Sequence, residues 1–150
     1  MAVFGFGSEI VDAVLYTELA GLSAVTGAVG ANILGRSAVI QGDTLPAVLF
    51  YPESSTYDPP AFGGDNIGME QLRYVVRFVC RGTSTDQIRA AALAQRQHLN
   101  GTAFDTVVDG LNYQVTFDAQ GAFPMTFLVD GGNTFRQLGT IYRVDVTLGG

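Results

Sequence analysis

The sequence predicts one α+β domain spanning residues 1–150, a mostly antiparallel sheet with two main helices packed on one face. Three observations predict it. The stretch Gln71–Arg81 alternates cleanly between apolar and arginine-bearing positions, a helix-length stretch follows it to about Leu99, and several strand-like stretches divided by turn residues come after. A strand, a helix laid back on it and further strands imply an antiparallel sheet with its helices segregated to one side. At 150 residues the chain is long enough to build a real core.

In the organising strand, Leu72, Tyr74, Val76, Phe78 and Cys80 share one face, while Arg73, Val75, Arg77, Val79 and Arg81 share the other. Side chains alternate because a strand repeats every two residues. The pattern describes a sheet packed on one side and wet, or turned to a partner, on the other. Gly82-Thr83 breaks the strand, and Ser84 or Thr85 is placed to cap the helix that follows. Asp86 meets the positive end of its dipole, Ile88, Ala91, Ala92 and Leu99 give it a small-residue face, and Asn100-Gly101 stops it.

Before that strand, Ser8 is positioned to cap a first helix whose Ile10, Val11, Val14, Leu15, Leu19 and Leu22 recur at helical spacing. The stripe reads as core. Ser23–Gly35 is a glycine-punctuated connection with room for a short helical turn. Arg36–Gln41 and Leu45–Tyr51 read as two strands joined at Gly42-Asp43, and Pro46, which has no N–H, puts the start of the second outside the ladder. Pro52–Met69, with Pro59-Pro60 and Gly63-Gly64, shows no periodicity and reads as a long loop.

After the second helix, Phe104–Val108 and Leu111–Asp118 flank Asp109-Gly110, a strong two-residue hairpin signal. Leu111, Tyr113, Val115 and Phe117 are expected to face inward. Phe123–Val129 is a separate strand near an edge, because it contains Pro124. Asp130-Gly131-Gly132-Asn133 turns the chain, and Gln137–Leu148 closes the sheet with Tyr142, Val144, Val146 and Leu148 on its apolar face.

Composition narrows the function classes. Hydrophobic residues make up 47% of the chain and charged ones 15%, which leaves two readings open: a well-filled core with apolar loops, or apolar surface buried between subunits. The net charge is −6 and all eight basic residues are arginine. Acidity argues against a general nucleic-acid binder and suits a surface that DNA slides past. One cysteine excludes an internal disulfide, Met1–Ser8 lacks the basic region of a secretory signal, and Leu19–Gly35, although uncharged, is too glycine-rich and short to span a membrane.

Motifs for catalysis or cofactors are not found. Without lysine there is no Walker A lysine and no Schiff base, and Gly5-Phe6-Gly7 neither follows a strand nor carries the third glycine of a dinucleotide fingerprint. His98 and Cys80 have no metal-ligand spacing. His98 is expected to meet helix-terminal carbonyls or solvent, and Cys80 to be a packed thiol. No catalytic residue, metal or cofactor is assigned. The arginine stripe keeps three readings: a solvated face balanced by acidic neighbours, a subunit interface, or direct DNA contact, the last disfavoured by net charge.

The layout resembles the tail-terminator (tail-completion) proteins of long-tailed bacteriophages. The resemblance lies in the helix Ala13-Val14-Leu15-Tyr16-Thr17-Glu18-Leu19 and glycine-rich connection, the Leu45–Phe50 and Leu72–Cys80 strands, a helix ending at Leu99-Asn100-Gly101, and the closing strand Gly139–Val146. It is one of pattern over nearly the whole chain. It implies a non-enzymatic virion protein, assembled in the host cytoplasm, that forms a hexameric ring at the head-proximal end of the tail. Such a ring ends polymerisation of the tail-tube protein, docks to the head–tail connector and lets DNA pass through its lumen without specific binding. On this reading intersubunit contacts are expected at Arg73, Arg77, Arg81, Phe123, Met125 and Phe127, and docking contacts in the loop at Tyr57, Phe62 and Met69. The alternatives are a head–tail stopper or adaptor or another minor tail protein, a small hydrolase using scattered carboxylates, and an arginine-mediated nucleic-acid binder.

Overall fold

The structure, a computed structural model, describes residues 7–36, 45–58, 69–81, 85–130 and 133–148, with the side chains of 55–58, 69, 85, 123–125, 127–130, 133 and 134 left aside. The elements in order are α1 (Gly7–Ala20), α2 (Ser23–Val29), β1 (Ile33–Leu34), β2 (Ala47–Asp58), β3 (Met69–Cys80), α3 (Thr85–Leu99), β4 (Ala103–Val108), β5 (Leu111–Asp130) and β6 (Asn133–Leu148). The strands form one curled six-stranded sheet in the order β1-β2-β3-β6-β5-β4. Only the β1–β2 pair is parallel. The chain is therefore α+β with a mostly antiparallel sheet, as its alternation predicts.

The Asp109-Gly110 turn is as expected. Val108 pairs with Leu111, and the two turn residues have φ of 52° and 78°, the left-handed pair that closes a tight hairpin with the right twist. Pro46 lies just before the first ladder residue of β2, where a missing N–H costs nothing. Tyr113, Val115 and Phe117 of β5 and Tyr142, Val144 and Val146 of β6 are buried as the alternation requires, with Leu111 and Leu148 packed partly buried beside them.

Several expectations are corrected. The short helical turn allowed for in the Ser23–Gly35 connection is a full seven-residue helix, Ser23–Val29, and Ile33–Leu34 adds a short parallel strand. β2 runs on through Ser54, Ser55, Thr56, Tyr57 and Asp58 to pair with Met69–Arg73, so the arms of the expected loop are a hairpin. Apolar alternation fails there because β1 covers β2 only at Val48 and Leu49, and because the register shifts between Pro52 and Ser54. The strands read at Leu111–Asp118 and Phe123–Val129 are one 20-residue strand, β5, with irregularities at Ala119/Gly121 and Phe123/Thr126 that let a proline and an extra residue pass. β6 begins at Asn133, four residues earlier than read. The strand read at Arg36–Gln41 falls on residues outside the described set from position 37 on, as does the Ser84 cap.

The larger core joins α1 (Ile10, Val11, Val14, Leu15, Leu19), α2 and α3 (Ile88, Ala91, Ala92, Leu99) to the Leu72, Tyr74, Val76, Phe78 and Cys80 side of β3. Each fully buried Val, Leu or Ile contributes roughly 1.5–3 kcal/mol. The His98–Glu18 pair between α3 and α1, at 2.9 Å and partly exposed, belongs to a class worth about 0–1 kcal/mol. Packing therefore decides where α1 sits. Of the two partners expected for His98, helix-terminal carbonyls or solvent, it keeps partial exposure to solvent, with its ring turned to Glu18 and tilted against Phe104.

Two polar devices fix the helices. Ser8 is not the cap of α1. The Gly7 N–H donates 2.7 Å to Oε2 of Glu70, a carboxylate that is 3% exposed and reaches across from β3. A carboxylate suits the positive end of a helix. In α3, Gln95 is fully buried, donates to Thr140 Oγ1 and the Ala92 carbonyl, and accepts from the Tyr142 hydroxyl at 2.8 Å. No single helix among the described residues is long and apolar enough to cross a membrane; α1 and α2 pass only as a pair bent by 87°.

Two substitutions test these devices. A methyl group at Gly7 falls onto the Glu70 carboxylate, so Gly7→Ala forces it off the helix N–H and is expected to cost about 1.5–3 kcal/mol in urea unfolding. Tyr142→Phe strips the donor from a buried amide oxygen and is expected to cost about 1–3 kcal/mol in the same assay.

Candidate functional site

The arginine-bearing face of β3 is where sequence and structure meet. Arg73, Val75, Arg77, Val79 and Arg81 follow at every second position, and β6 sets Arg143, Ile141, Gly139 and Gln137 opposite the first four in turn. On the other side β2 sets Tyr51 opposite Val75, Leu49 opposite Arg77 and Ala47 opposite Val79. The expectation was a face that is wet or turned to a partner; Arg73 and Arg81 are exposed, but the wet reading is corrected from Val75 to Val79. Val75 is 3% exposed and Val79 0%, and a second small core of Ala47, Leu49, Val79 and Phe135 covers this side at one end. Phe135 comes from the part of β6 that was missed in the alternation.

The three arginines therefore part company. Arg73 is half exposed and its Nε donates 2.9 Å to Glu53. Arg81 is exposed and lays its guanidinium over the Phe135 ring, 5.3 Å from the centroid. Arg77 is buried, 8% exposed, with Nη1 donating 2.7 Å to Gln137 Oε1 and its guanidinium 5.7 Å from the Tyr51 ring centroid. Stacking of a flat cation on an aromatic face is a geometry that arginine offers and lysine does not.

Arg73 and Arg143 stand directly opposite each other, a destabilising match unless neighbours neutralise it. They do. Arg143 lies 3.6 Å from Asp118 and 3.5 Å from Asp145, Gln71 donates to Asp145, and Glu53 holds Arg73. This belt matches the balanced, solvated reading of the stripe at its Arg73 end. The sequence assigns no site role to Glu53, Gln137, Arg143 or Asp145 and expects Asp118 only to face water, although the outward register of β6 (Gln137, Gly139, Ile141, Arg143, Asp145) is readable from the alternation of Tyr142, Val144 and Val146.

Of the other expected contact positions, Phe123, Met125 and Phe127 lie on β5, with Phe123 paired to Gly139 and Phe127 to Arg136, but their side chains are outside the described set. The backbones of Tyr57 and Met69 lie on the β2–β3 arms, Tyr57 opposite Glu70 and Asp58 opposite Met69, and their side chains are likewise outside it. Phe62 lies outside the described residues.

Among the hollows lined by described residues, three bear on the site. One of about 290 Å³ is floored by Val75 and Ile141 and walled by Arg77, Gln137, Tyr51, Thr126 and Glu53. A second of about 210 Å³ sits in the charged belt at Ser54, Gln71, Arg73, Gln120 and Arg143. The largest, about 690 Å³, lies by the β4 edge, where Asp105 is its one charged wall beside Val107 and Leu148. Among the described residues no group of three or more His, Cys, Asp or Glu is placed to hold a metal ion. A comparison with family models and with curated proteins finds no match.

Two carboxylates do meet in the fold, at Tyr74. Its hydroxyl lies 2.7 Å from Asp12 Oδ1 and 2.9 Å from the Ser8 carbonyl, while Glu70 holds the Gly7 N–H nearby. Neither carboxylate lines any of these hollows, and both are occupied in fastening α1 to β3. Burial pushes Asp12 above the usual carboxylate range; the Tyr74 hydrogen bond opposes this and the Glu9 charge adds to it. Burial, together with the Asp12 contact, pushes the Tyr74 hydroxyl up as well. Cys80 is buried and its thiol is also pushed up, the behaviour of a packed thiol and not of a nucleophile.

The Asp12 shift has a direction that unfolding experiments read. Its folded pKa is raised, so its contribution to stability is fully present below the unfolded value of about 3.9 and is lost as pH rises through the folded value. Asp12→Asn keeps an acceptor for Tyr74 and removes the titration. Its stability relative to wild type is expected to be constant below about pH 3.9 and to increase above it; denaturant unfolding from pH 3 to 7 checks this, and a flat difference contradicts it.

Proposed function

We propose that this chain is a structural virion protein of the tail-terminator kind. It forms a hexameric ring at the head-proximal end of a phage tail, ends tail-tube polymerisation, and docks to the head connector while DNA passes through the lumen without specific binding. It has no enzymatic role and no cofactor, and its place is the tail after assembly in the host cytoplasm. The observation that carries this reading is the order of elements. Of the stretches on which the resemblance rests, those on α1, the start of β2, β3, the end of α3 and the closing half of β6 have the expected secondary structure, while the glycine-rich connection holds α2 and β1. In the same reading α1 and α3 are the two main helices and form a layer on the Leu72–Cys80 face.

Arg73 and Arg81 are the exposed members of the stripe, and the Phe123, Met125 and Phe127 segment of β5 lies across β6 at the level of Arg77 to Cys80. Arg77 is buried in its own subunit, so Arg77→Glu is a folding mutation rather than a test of assembly.

Six copies of the 15.9 kDa chain form a particle of about 95 kDa. Light scattering and negative-stain imaging, with purified tail tubes added, are expected to show closed rings alone or on tube ends. Arg73→Glu combined with Arg81→Glu is expected to abolish rings and leave a folded monomer by circular dichroism. A wild-type protein that forms no ring and caps no tube overturns the proposal, and binding to the head alone moves the chain to the stopper or adaptor class.

A further inference from the structure

We infer that the open edge of β4 is a docking site for an extended segment of another protein in which apolar residues alternate with basic ones. The inference rests on the sheet alone and stands apart from the ring reading. β4 ends the sheet and pairs only with β5, so among the described residues no strand covers its other edge. The tight Asp109-Gly110 turn makes Val108 and Leu111 a hydrogen-bonded pair, and such pairs recur at every second residue. Val108, Thr106 and Phe104 therefore bond to β5, while Ala103, Asp105 and Val107 turn their N–H and C=O groups outward. All three of these outward residues are exposed. Proteins blunt such an edge with proline, lysine, a bulge or a very short strand. The opposite end of the sheet is blunted in this way, since β1 has two residues and β2 carries Pro52 beside a register shift. β4 contains no proline and pairs residue for residue without a shift. Its edge is open.

The two faces beside that edge define the chemistry of the occupant. On the inner face Phe104 and Val108 pack against the core yet stay partly exposed, so an apolar side chain on an added strand completes their cover. On the outer face the ladders set Asp105, Gln114 and Thr147 in one row across β4, β5 and β6, with Val107 opposite Asn112 beside it. These five residues line the 690 Å³ hollow, and Asp105 is its one charge. Among the described residues no arginine pairs with Asp105, and the chain has no lysine. Val107 is 63% exposed, more than any other large hydrophobic side chain described. A basic side chain opposite Asp105 on an added strand shares this face: its charge meets the carboxylate, its stem lies along Val107, and its donors turn to the amide of Gln114. Neighbouring residues of a strand point to opposite faces, so the occupant that suits both alternates apolar with basic. The main chain of such a segment supplies affinity and its alternate side chains supply specificity.

The test titrates the full chain with a blocked hexapeptide of alternating valine and lysine, against one of alternating valine and glutamate at equal ionic strength, and follows backbone amide resonances and their hydrogen exchange. The valine–lysine peptide is expected to shift the Ala103, Asp105 and Val107 amides, to slow their exchange, and to bind about threefold or more tightly than its glutamate counterpart. Asp105→Asn, an exposed change, is expected to reduce that preference. Val107→Pro keeps the β4–β5 ladder, because this N–H faces outward, and is expected to lose peptide binding. If Val107→Pro does not fold, the peptide preference of Asp105→Asn decides. No shift at these amides, equal binding of the two peptides, an unchanged preference in Asp105→Asn, or undiminished binding by folded Val107→Pro overturns the inference. Slow exchange of the three amides without peptide overturns it too, and sedimentation then identifies what holds the edge: a mass above 15.9 kDa assigns a second copy, and a monomer assigns another segment of the same chain.

Discussion

The β3–β6 ladder is the constraint on which the other elements depend. All twelve residues of β3 pair with β6, from Met69 on Thr147 to Cys80 on Arg136, and β2 pairs along the opposite edge from Met69 to Val79. A strand bonded on both edges has no freedom left but its two faces, and here both are largely closed: every residue from Tyr74 to Cys80 is buried. The helices attach to this pair through particular atoms. Glu70 and Tyr74 of β3 hold the first turn of α1, and Thr140 and Tyr142 of β6 hold Gln95 of α3. Apolar burial supplies most of the energy, but it is non-directional. These buried hydrogen bonds supply the angular specification, because each mismatch leaves a desolvated polar group without its partner.

Closure of the second face explains why an arginine is tolerated in its middle. A buried cation is costly unless its donors are satisfied and its charge is screened by something polarisable. Arg77 has the amide oxygen of Gln137 at Nη1 and the ring of Tyr51 beside it, its buried Nε meets no hydrogen-bond acceptor, and it stands where the opposing strand has glycine. A lysine at this position brings a compact, strongly hydrated charge that neither contact suits. At Arg77 and Arg81, both over aromatic rings, the choice of arginine has a structural reason.

The sequence made the fold legible wherever one face of a strand is wet. Tyr113, Val115 and Phe117, or Tyr142, Val144 and Val146, announce their strands because their neighbours are polar. The Asp109-Gly110 turn is legible because its chemistry is local. What was hidden depended on partners remote in the chain. The polar arm Ser54–Asp58 is a strand only because β3 is there to pair with it, and α2 is a seven-residue helix held by the core through Val25, Ala28 and Val29. The helix cap was misread for the same reason. Ser8 is the local candidate, but the group that binds the Gly7 N–H comes from 63 residues away. Of the candidate site, the stripe was legible as a pattern and its burial was not, since Phe135 lies beyond the part of β6 that alternates.

The second face therefore holds two kinds of positive charge, and they suit different tasks. Arg73 and Arg81 are exposed, with their contacts at the edge of water, and charges of that kind steer and orient a partner more than they add affinity. Arg77 is desolvated and held by Gln137 and Tyr51, so its charge serves the packing of its own subunit. Acidic neighbours (Glu53, Asp118 and Asp145) neutralise the exposed end of the face and leave its field short-ranged. A surface arranged in this way repels no passing polyanion strongly and captures none at a distance.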